Sequence, residues 1–143
     1  MGSQRELIIN GDKGKGLSPD QRKAAEYRGH DIIVRAGAGS GKTKTLVARY
    51  LLLLDENRDR LPSDIAAVTF TDKAGNEMRS RVRAEMSRLA VSAEDPDDKA
   101  YWAKQLNEMD NACIGNPQPL RPHPPRASRR GRIGSQIRRA GRE

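Results

Sequence analysis

The sequence predicts an α/β domain with a mainly parallel sheet. Two apolar segments with strand character, residues 31–35 and 65–70, each precede a segment with apolar residues at helical spacing, residues 42–54 and 73–90. A glycine-rich loop, residues 36–43, joins the first strand to its helix. Strands that alternate with helices are typical of parallel sheets. Two strands alone leave open sheet edges, so we expect an incomplete domain.

The composition limits the class of protein. The chain has 143 residues, enough for one domain at most. Its single Cys excludes a disulfide framework and is typical of the reducing cytoplasm. No apolar run approaches the roughly 20 residues of a membrane-spanning helix. Residues 1–16 are polar and lack the apolar core of a signal peptide. We therefore expect a cytoplasmic protein without a membrane partner, with residues 1–16 as a flexible lead.

The net charge of +8 is concentrated at the carboxyl end. Residues 116–143 hold eight Arg and one acidic residue, whereas residues 1–115 hold 19 basic and 18 acidic residues. Five of the eight prolines also lie between residues 117 and 125. A nearly neutral body is thus followed by a Pro/Arg-rich tail that we expect to be disordered.

A capping pattern predicts the start of the first helix. Ser18 is suited to the N-cap, Pro19 to the first turn and Gln21 to the third position of a capping box. The pattern predicts a helix that runs to about Arg28 and ends at Gly29.

The loop that follows has the residue types of a phosphate cradle. Small residues let backbone N–H groups converge on a polyphosphate, and the helix N-terminus adds a positive dipole. Lys42 supplies a charge for the β- and γ-phosphates, and the Thr43 hydroxyl is suited to hold Mg²⁺. A flexible glycine-containing loop is the alternative, but it does not explain a Lys-Thr pair that begins a helix. The loop reads Ala36-Gly37-Ala38-Gly39-Ser40-Gly41-Lys42-Thr43, with Ala36 where the strict pattern has Gly.

Two helices are predicted after the second strand. The helix over residues 73–90 has apolar residues on one face, and we expect its charged Glu77 and Arg79 to be solvated. The acidic residues 94–98 indicate a solvated loop or helix cap, and residues 100–112 a further helix. Cys113 is predicted to be a buried apolar residue.

Three blocks of the chain resemble the UvrD/Rep-type superfamily 1 helicases, which include the RecB and AddA subunits of recombination nucleases. Residues 17–21 are similar to the Q motif, residues 36–46 to motif I and residues 69–78 to motif Ia. The resemblance covers residues 17–115, with Asp72 in place of the usual Asn and Gly75 in place of the usual Ala. It implies a RecA-like P-loop NTPase domain, here incomplete.

The resemblance implies roles for single residues. Lys42 and Thr43 would be catalytic, with ATP and Mg²⁺ as cofactors. Gln21 would contact adenine, a role compatible with capping its own helix, and Lys44 would lie near the base. Three residues at the end of the second strand would contact single-stranded DNA, namely Phe70, Thr71 and Asp72.

Two of these DNA-contacting roles have counterarguments. Phe70 could stack on a base, or it could be core at the end of a buried strand. The carboxylate of Asp72 would repel phosphates where the family's Asn would donate a hydrogen bond.

The implied function is that of an ATP-dependent 3′–5′ DNA helicase or translocase acting on single-stranded DNA in repair or recombination. Other subunits of a helicase–nuclease complex are possible partners. We find no match to the family's Asp-Glu pair or arginine fingers, so we expect weak binding of ATP and no unwinding. The alternatives are another phosphate-loop NTPase or kinase, or a non-enzymatic nucleic-acid binder that uses the Arg-rich tail.

Residues 116–143 suggest a change of reading frame. In the resembling family, Ala-x-Ile-Gly is followed by Thr-Ile-His-Ser-Phe/Leu-Cys, whereas here Gly115 is followed by a Pro/Arg-rich segment. A permitted back-translation of residues 117–126, read one nucleotide later, gives His-Ser-Leu-Cys-Ala-Arg-Ile-Leu-Arg. We therefore interpret this segment as a frameshift product, with a genuine nucleic-acid-binding tail as the alternative.

Overall fold

A computed structural model describes residues 4–11 and 16–117 of the chain. Within these residues, far more of the chain is helical than lies in strands. The helices are α1 (Gln4–Asn10), α2 (Pro19–Glu26), α3 (Lys42–Glu56), α4 (Asp72–Ser92) and α5 (Pro96–Asn107), with 3₁₀ turns at Pro62–Asp64 and Glu108–Asn111. The strands are β1 (Ala66–Val68) and β2 (Cys113–Gly115). Residues 118–143, and with them most of the predicted tail, lie outside the described part.

The two strands form a small parallel sheet. Ala66 pairs with Cys113 and Val68 with Gly115, and the pairing continues in a bond from the Thr69 N–H to the Gly115 carbonyl (2.9 Å). A parallel pair needs a crossover connection, which α4 and α5 supply. The predicted α/β class is therefore confirmed as a helix-rich domain with a small parallel sheet.

Residues 31–35 do not form the predicted buried strand. They belong to no helix or strand and are exposed, with Ile33 at 86%. Apolar β-branched residues favour a strand when a neighbouring strand completes its hydrogen bonds and covers its side chains. The described residues contain only β1 and β2, which pair with each other. The strand prediction at residues 31–35 is therefore wrong for this structure.

The prediction for residues 65–70 is right in place but too long. β1 covers only Ala66–Val68, and of these three residues only Ala67 is buried. Val68 is 58% exposed because no layer covers that face of the strand within the described residues.

Residues 4–10 correct the expectation of a flexible lead. They form α1, which buries Gln4, Ile8 and Ile9. The buried indole N–H of Trp102 donates to Gln4 Oε1 (2.9 Å), so both polar groups are satisfied inside the core. The Arg88 guanidinium donates to the Leu7 carbonyl (2.9 Å). The amino-terminal segment is thus part of the packed domain.

Helix α2 begins as predicted and ends two residues early. The Gln21 N–H donates to Ser18 Oγ (3.3 Å) and the Ser18 N–H donates to Gln21 Oε1 (2.9 Å), which confirms the capping box. Arg28 and Arg49 donate to backbone carbonyls at the carboxyl end of the helix. These bonds satisfy carbonyls that have no partner within the helix.

The core lies between α1, α3, α4 and α5. Its centre is the fully buried Trp102, whose ring packs edge-on against Tyr101 at 5.1 Å between centroids. Helix α5 begins at an Asp95 cap, so the acidic stretch supplies a helix cap, and the helix ends earlier than predicted. The other large buried side chains of the core are Leu51, Leu52, Leu54, Val82, Met86, Leu89 and Met109.

Cys113 is half-buried and begins β2, a strand that the sequence did not reveal. None of the described helices is both long and apolar enough to cross a membrane.

Candidate functional site

The glycine-rich loop forms a tight turn on the surface. The Ser40 hydroxyl donates to the Gly37 carbonyl (2.6 Å), and the Ser40 N–H lies 3.3 Å from the same carbonyl oxygen. Gly39 and Gly41 have φ values of 75° and 82°, in the left-handed region that favours glycine. Residues 36–40 are exposed, so the backbone of the loop is open to a ligand.

The loop leads directly into an uncapped helix. Gly41 is the N-cap of α3 and has no side chain to accept a bond from the first-turn N–H groups. No acidic residue lies in that turn, whereas Lys42 and Lys44 do. Free N–H groups, the helix dipole and two cations together favour a bound anion.

Lys42 and Thr43 occupy the positions that the motif requires. The exposed Lys42 ammonium donates to the Ala36 carbonyl (3.0 Å), so its side chain lies across the loop. Thr43 is half-buried in the first turn of α3. Within residues 4–11 and 16–117, no group of three or more His, Cys, Asp or Glu side chains could hold a metal ion. A hydroxyl such as that of Thr43 fits Mg²⁺ only together with phosphate oxygens and water.

Gln21 links α2 to this loop. Its side-chain Nε2 donates to the Ser40 carbonyl (2.8 Å) while its Oε1 accepts the capping bond from the Ser18 N–H. A methyl group at Gly41 would lie 2.5 Å from Nε2, so the amide packs directly against the loop backbone. The capping role is confirmed, and the adenine-binding role stays a prediction.

Lys44 makes a second bridge between the same two segments. Its ammonium donates to the Gly16 carbonyl (2.6 Å) and is partly buried. A methyl group at Gly41 would approach the Lys44 Cβ at 4.0 Å as well as the Gln21 amide, so both side chains lie close to Gly41. The role of Lys44 near the base stays a prediction.

Phe70, Thr71 and Asp72 form the turn between β1 and α4. Phe70 is 98% exposed, so the interpretation as a core residue is wrong for this structure. Thr71 is the N-cap of α4, accepting a bond from the Ala74 N–H (3.1 Å). Asp72 is the first residue of that helix, where a carboxylate is stabilised by the dipole. Asp72 thus has a structural function whether or not DNA lies nearby.

Two further residues fix the position of this turn. Gly75 is buried in α4, where a methyl group would lie 2.8 Å from the Gly115 Cα and 3.0 Å from the Thr69 hydroxyl. The Arg79 guanidinium donates to the Ile114 carbonyl (2.8 Å), so Arg79 holds α4 against β2 and is not the solvated charge we expected. The unusual Gly in motif Ia was the only signal for this close contact.

The residues of this site lie within a match to a known family. The family described as "UvrD/REP helicase N-terminal domain" matches residues 17–115, which include every site residue predicted from the sequence. Three similar curated proteins each carry a name that describes them as part of an ATP-dependent helicase/nuclease. The protein of Latilactobacillus sakei is 38% identical over 98 residues, 68% of this chain and 11% of the relative.

The other two relatives give the same result. The protein of Lactobacillus helveticus is 42% identical over 100 residues, 68% of this chain and 8% of the relative. That of Natranaerobius thermophilus is 39% identical over 95 residues, 66% of this chain and 7% of the relative. The chain therefore spans about a tenth of the relatives' length, and no solved structure matches it. The family match covers well over half of the chain, which thus belongs to the UvrD/REP helicases as part of their N-terminal domain.

Proposed function

We propose that residues 17–115 are the ATP-binding part of a cytoplasmic, ATP-dependent 3′–5′ DNA helicase or translocase that acts on single-stranded DNA in repair or recombination. The observation that carries the proposal is the exposed glycine-rich loop at the uncapped N-terminus of α3, with Lys42 beside it. On this proposal the chain itself binds ATP weakly and does not unwind DNA.

The phosphates would be held by the loop backbone. The N–H groups of residues 36–43 would surround the β- and γ-phosphates, and Lys42 would exchange the Ala36 carbonyl for a phosphate oxygen. Thr43 would contribute its hydroxyl to Mg²⁺, which supplies charge neutralisation when bound. Gln21 and Lys44 would lie on the side of the adenine base.

Single-stranded DNA would cross the turn between β1 and α4. The exposed ring of Phe70 supports this proposal, since stacking on a base needs a solvent-facing aromatic side chain. Thr71 and Asp72 would lie beside the same DNA strand. Because the relatives are named as subunits of a helicase/nuclease, we further propose that the parent protein works within a complex of several chains.

Substitution of Lys42 tests the nucleotide site. We expect Lys42→Ala to weaken binding of Mg·ATP by roughly tenfold or more, because a charged hydrogen bond contributes about 1.5–3 kcal/mol. Lys104→Ala, on the exposed face of α5, is the matched control and should bind as the unmodified chain does. Binding is measured by titration calorimetry. Equal binding by both variants would exclude the loop as the nucleotide site.

An ATPase assay with single-stranded DNA tests the expected lack of activity. Stimulated hydrolysis that Lys42→Ala abolishes would show that the chain carries a complete hydrolytic site, contrary to the proposal.

A DNA titration separates the two possible DNA-binding regions. We expect deletion of residues 116–143, with their eight Arg, to remove the strongly salt-dependent part of binding. The remaining binding should fall further in Phe70→Ala, because stacking on one base contributes about 1–3 kcal/mol. Complete loss on deletion of the tail alone would favour a nucleic-acid binder without a helicase site.

We also propose that residues 116–143 are read out of frame. The family match ends at residue 115, where the composition changes to Pro and Arg. The nucleotide sequence of the gene tests this proposal directly. If no other frame encodes a family-like continuation after Gly115, the tail is a genuine segment of the protein.

A further inference from the structure

We infer that Gln21 positions the phosphate loop through the Ser40 carbonyl, so that binding of a triphosphate depends on Gln21 even when the ligand has no base. This inference rests on the proposed ATP site. It differs from the adenine role that the resemblance implies, because it assigns Gln21 to the phosphate half of the site.

Two hydrogen bonds join α2 and the residues just before it to the loop and helix that would hold the phosphates. Gln21 Nε2 donates to the Ser40 carbonyl (2.8 Å), and the Lys44 ammonium donates to the Gly16 carbonyl (2.6 Å). Both acceptors are backbone atoms of the protein, so neither bond requires a ligand. The two segments are therefore joined before any nucleotide binds.

The Gln21 amide is held on both sides. Its Oε1 accepts the Ser18 N–H (2.9 Å), and the Gln21 N–H in turn donates to Ser18 Oγ (3.3 Å). This capping box fixes the amide to the rigid first turn of α2. Because the amide is fixed to α2, its N–H donor can hold the Ser40 carbonyl in one direction.

The direction of that carbonyl sets the direction of the next N–H. A trans peptide is planar, so its carbonyl and N–H point to opposite sides. With the Ser40 carbonyl turned towards Gln21, the Gly41 N–H is turned away from α2, to the side where we propose the phosphates. A methyl group at Gly41 would lie 2.5 Å from Nε2, so the amide packs closely against the backbone on the far side of this peptide.

A base-free ligand separates the two roles of Gln21. The amide has two N–H donors and two acceptor lone pairs, so it could contact adenine and Ser40 together. Tripolyphosphate with Mg²⁺ has the phosphate chain of ATP and no base. We expect Gln21→Leu to weaken binding of Mg·ATP and Mg·tripolyphosphate by a similar factor, about five- to tenfold for one lost hydrogen bond.

Ser18→Ala is the matched control, measured by the same calorimetry on the full chain. It removes the Oγ half of the capping box and leaves the Gln21 side chain bonded to Ser40. We expect its affinity for both ligands to stay within about twofold of the unmodified chain. Weaker binding of ATP in Gln21→Leu with unchanged binding of tripolyphosphate would overturn the inference.

If the chain binds neither ligand, that result counts against the proposed function alone. A measurement without ligand then still tests whether Gln21 holds the loop. The exposed Arg35 and Lys42 flank the loop and are trypsin sites. We expect cleavage after these two residues to be several times faster in Gln21→Leu than in Ser18→Ala, relative to cleavage elsewhere in the chain. Equal relative rates in the two variants would show that Gln21 does not hold the loop.

Discussion

The surroundings of Trp102 and of Phe70 show that the two sides of this domain differ in how well they bury large aromatic side chains. Trp102 is fully buried among helices and its indole N–H is bonded to Gln4. Phe70 in the turn after β1 is 98% exposed, and Val68 of β1 is 58% exposed. The core helices therefore bury most of their large apolar side chains against one another, whereas β1 and the turn after it leave Val68 and Phe70 exposed.

The difference shows where the stability of the fold arises. Burial of apolar surface is the main favourable term in folding, and here it is concentrated between the helices. The bond from Gln21 to Ser40 joins the glycine-rich loop to α2, and the bond from Arg79 to Ile114 joins α4 to β2. The proposed ligand sites are thus positioned by a core that contains none of their contact residues.

The largest expected effect is that of Trp102→Ala. The change leaves a cavity and removes the partner of Gln4, so we expect the free energy of unfolding to fall by about 3–5 kcal/mol. Phe70→Ala is the matched aromatic control and should change it by less than about 0.5 kcal/mol. Urea denaturation followed by circular dichroism measures both. Similar losses in the two variants would contradict the contrast between the two sides of the domain.

Gly75→Ala tests the contact that joins the two sides. The new methyl group would lie 2.8 Å from the Gly115 Cα, so we expect a loss of about 1–3 kcal/mol from overpacking. Asn76→Ala, on the exposed face of the same turn of α4, should cause no loss because Ala favours the helix. A stable Gly75→Ala variant would mean that α4 and β2 can separate without cost.

The smallest expected effect is a dependence of stability on alkaline pH. Burial raises the pKa of Tyr101 from 10.0 to about 12. A phenol with a raised folded-state pKa contributes stability below the unfolded value, which is lost as the pH rises through the folded value. Stability should therefore decline between about pH 10 and pH 12. Denaturation melts across this range should show a shallower decline in Tyr101→Phe, and an unchanged one in Tyr27→Phe.

If stability declines identically in the unmodified chain, Tyr101→Phe and Tyr27→Phe, other groups cause the alkaline effect. Burial also raises the pKa of Tyr50, whose hydroxyl donates to the Pro62 carbonyl (3.0 Å). Tyr50→Phe would then be the next variant to measure.

Local patterns predicted the starts of α2, α3 and α4 well. The capping box of Ser18 and Gln21 and the start of α3 at Lys42 depend on residues within one turn of each other. The strand at residues 31–35 failed because a strand also needs a neighbour, which short-range patterning does not reveal. Helix α1 was missed because it has only seven residues, stabilised by contacts with distant residues such as Trp102.

The sequence predicted ligand contacts for Gln21, Lys42 and Lys44, and these roles stay predictions. It did not predict the residues that support the proposed site. The contact of Arg79 with β2 was not predicted because its acceptor is the backbone carbonyl of Ile114. Every residue has such a carbonyl, so no sequence motif identifies it.

The pairing of Ala66 with Cys113 has a consequence for the order in which the protein is made. The side-chain bonds of the glycine-rich loop and its neighbours all lie within residues 16–45, so every partner in them is synthesised before α4. The sheet cannot begin until residues 113–115 leave the ribosome, because β1 has no other partner among the described residues. Until then the Arg79 guanidinium lacks its acceptor and β1 stays an open edge. The nascent chain would thus hold all the partners of the glycine-rich loop before it can form its sheet.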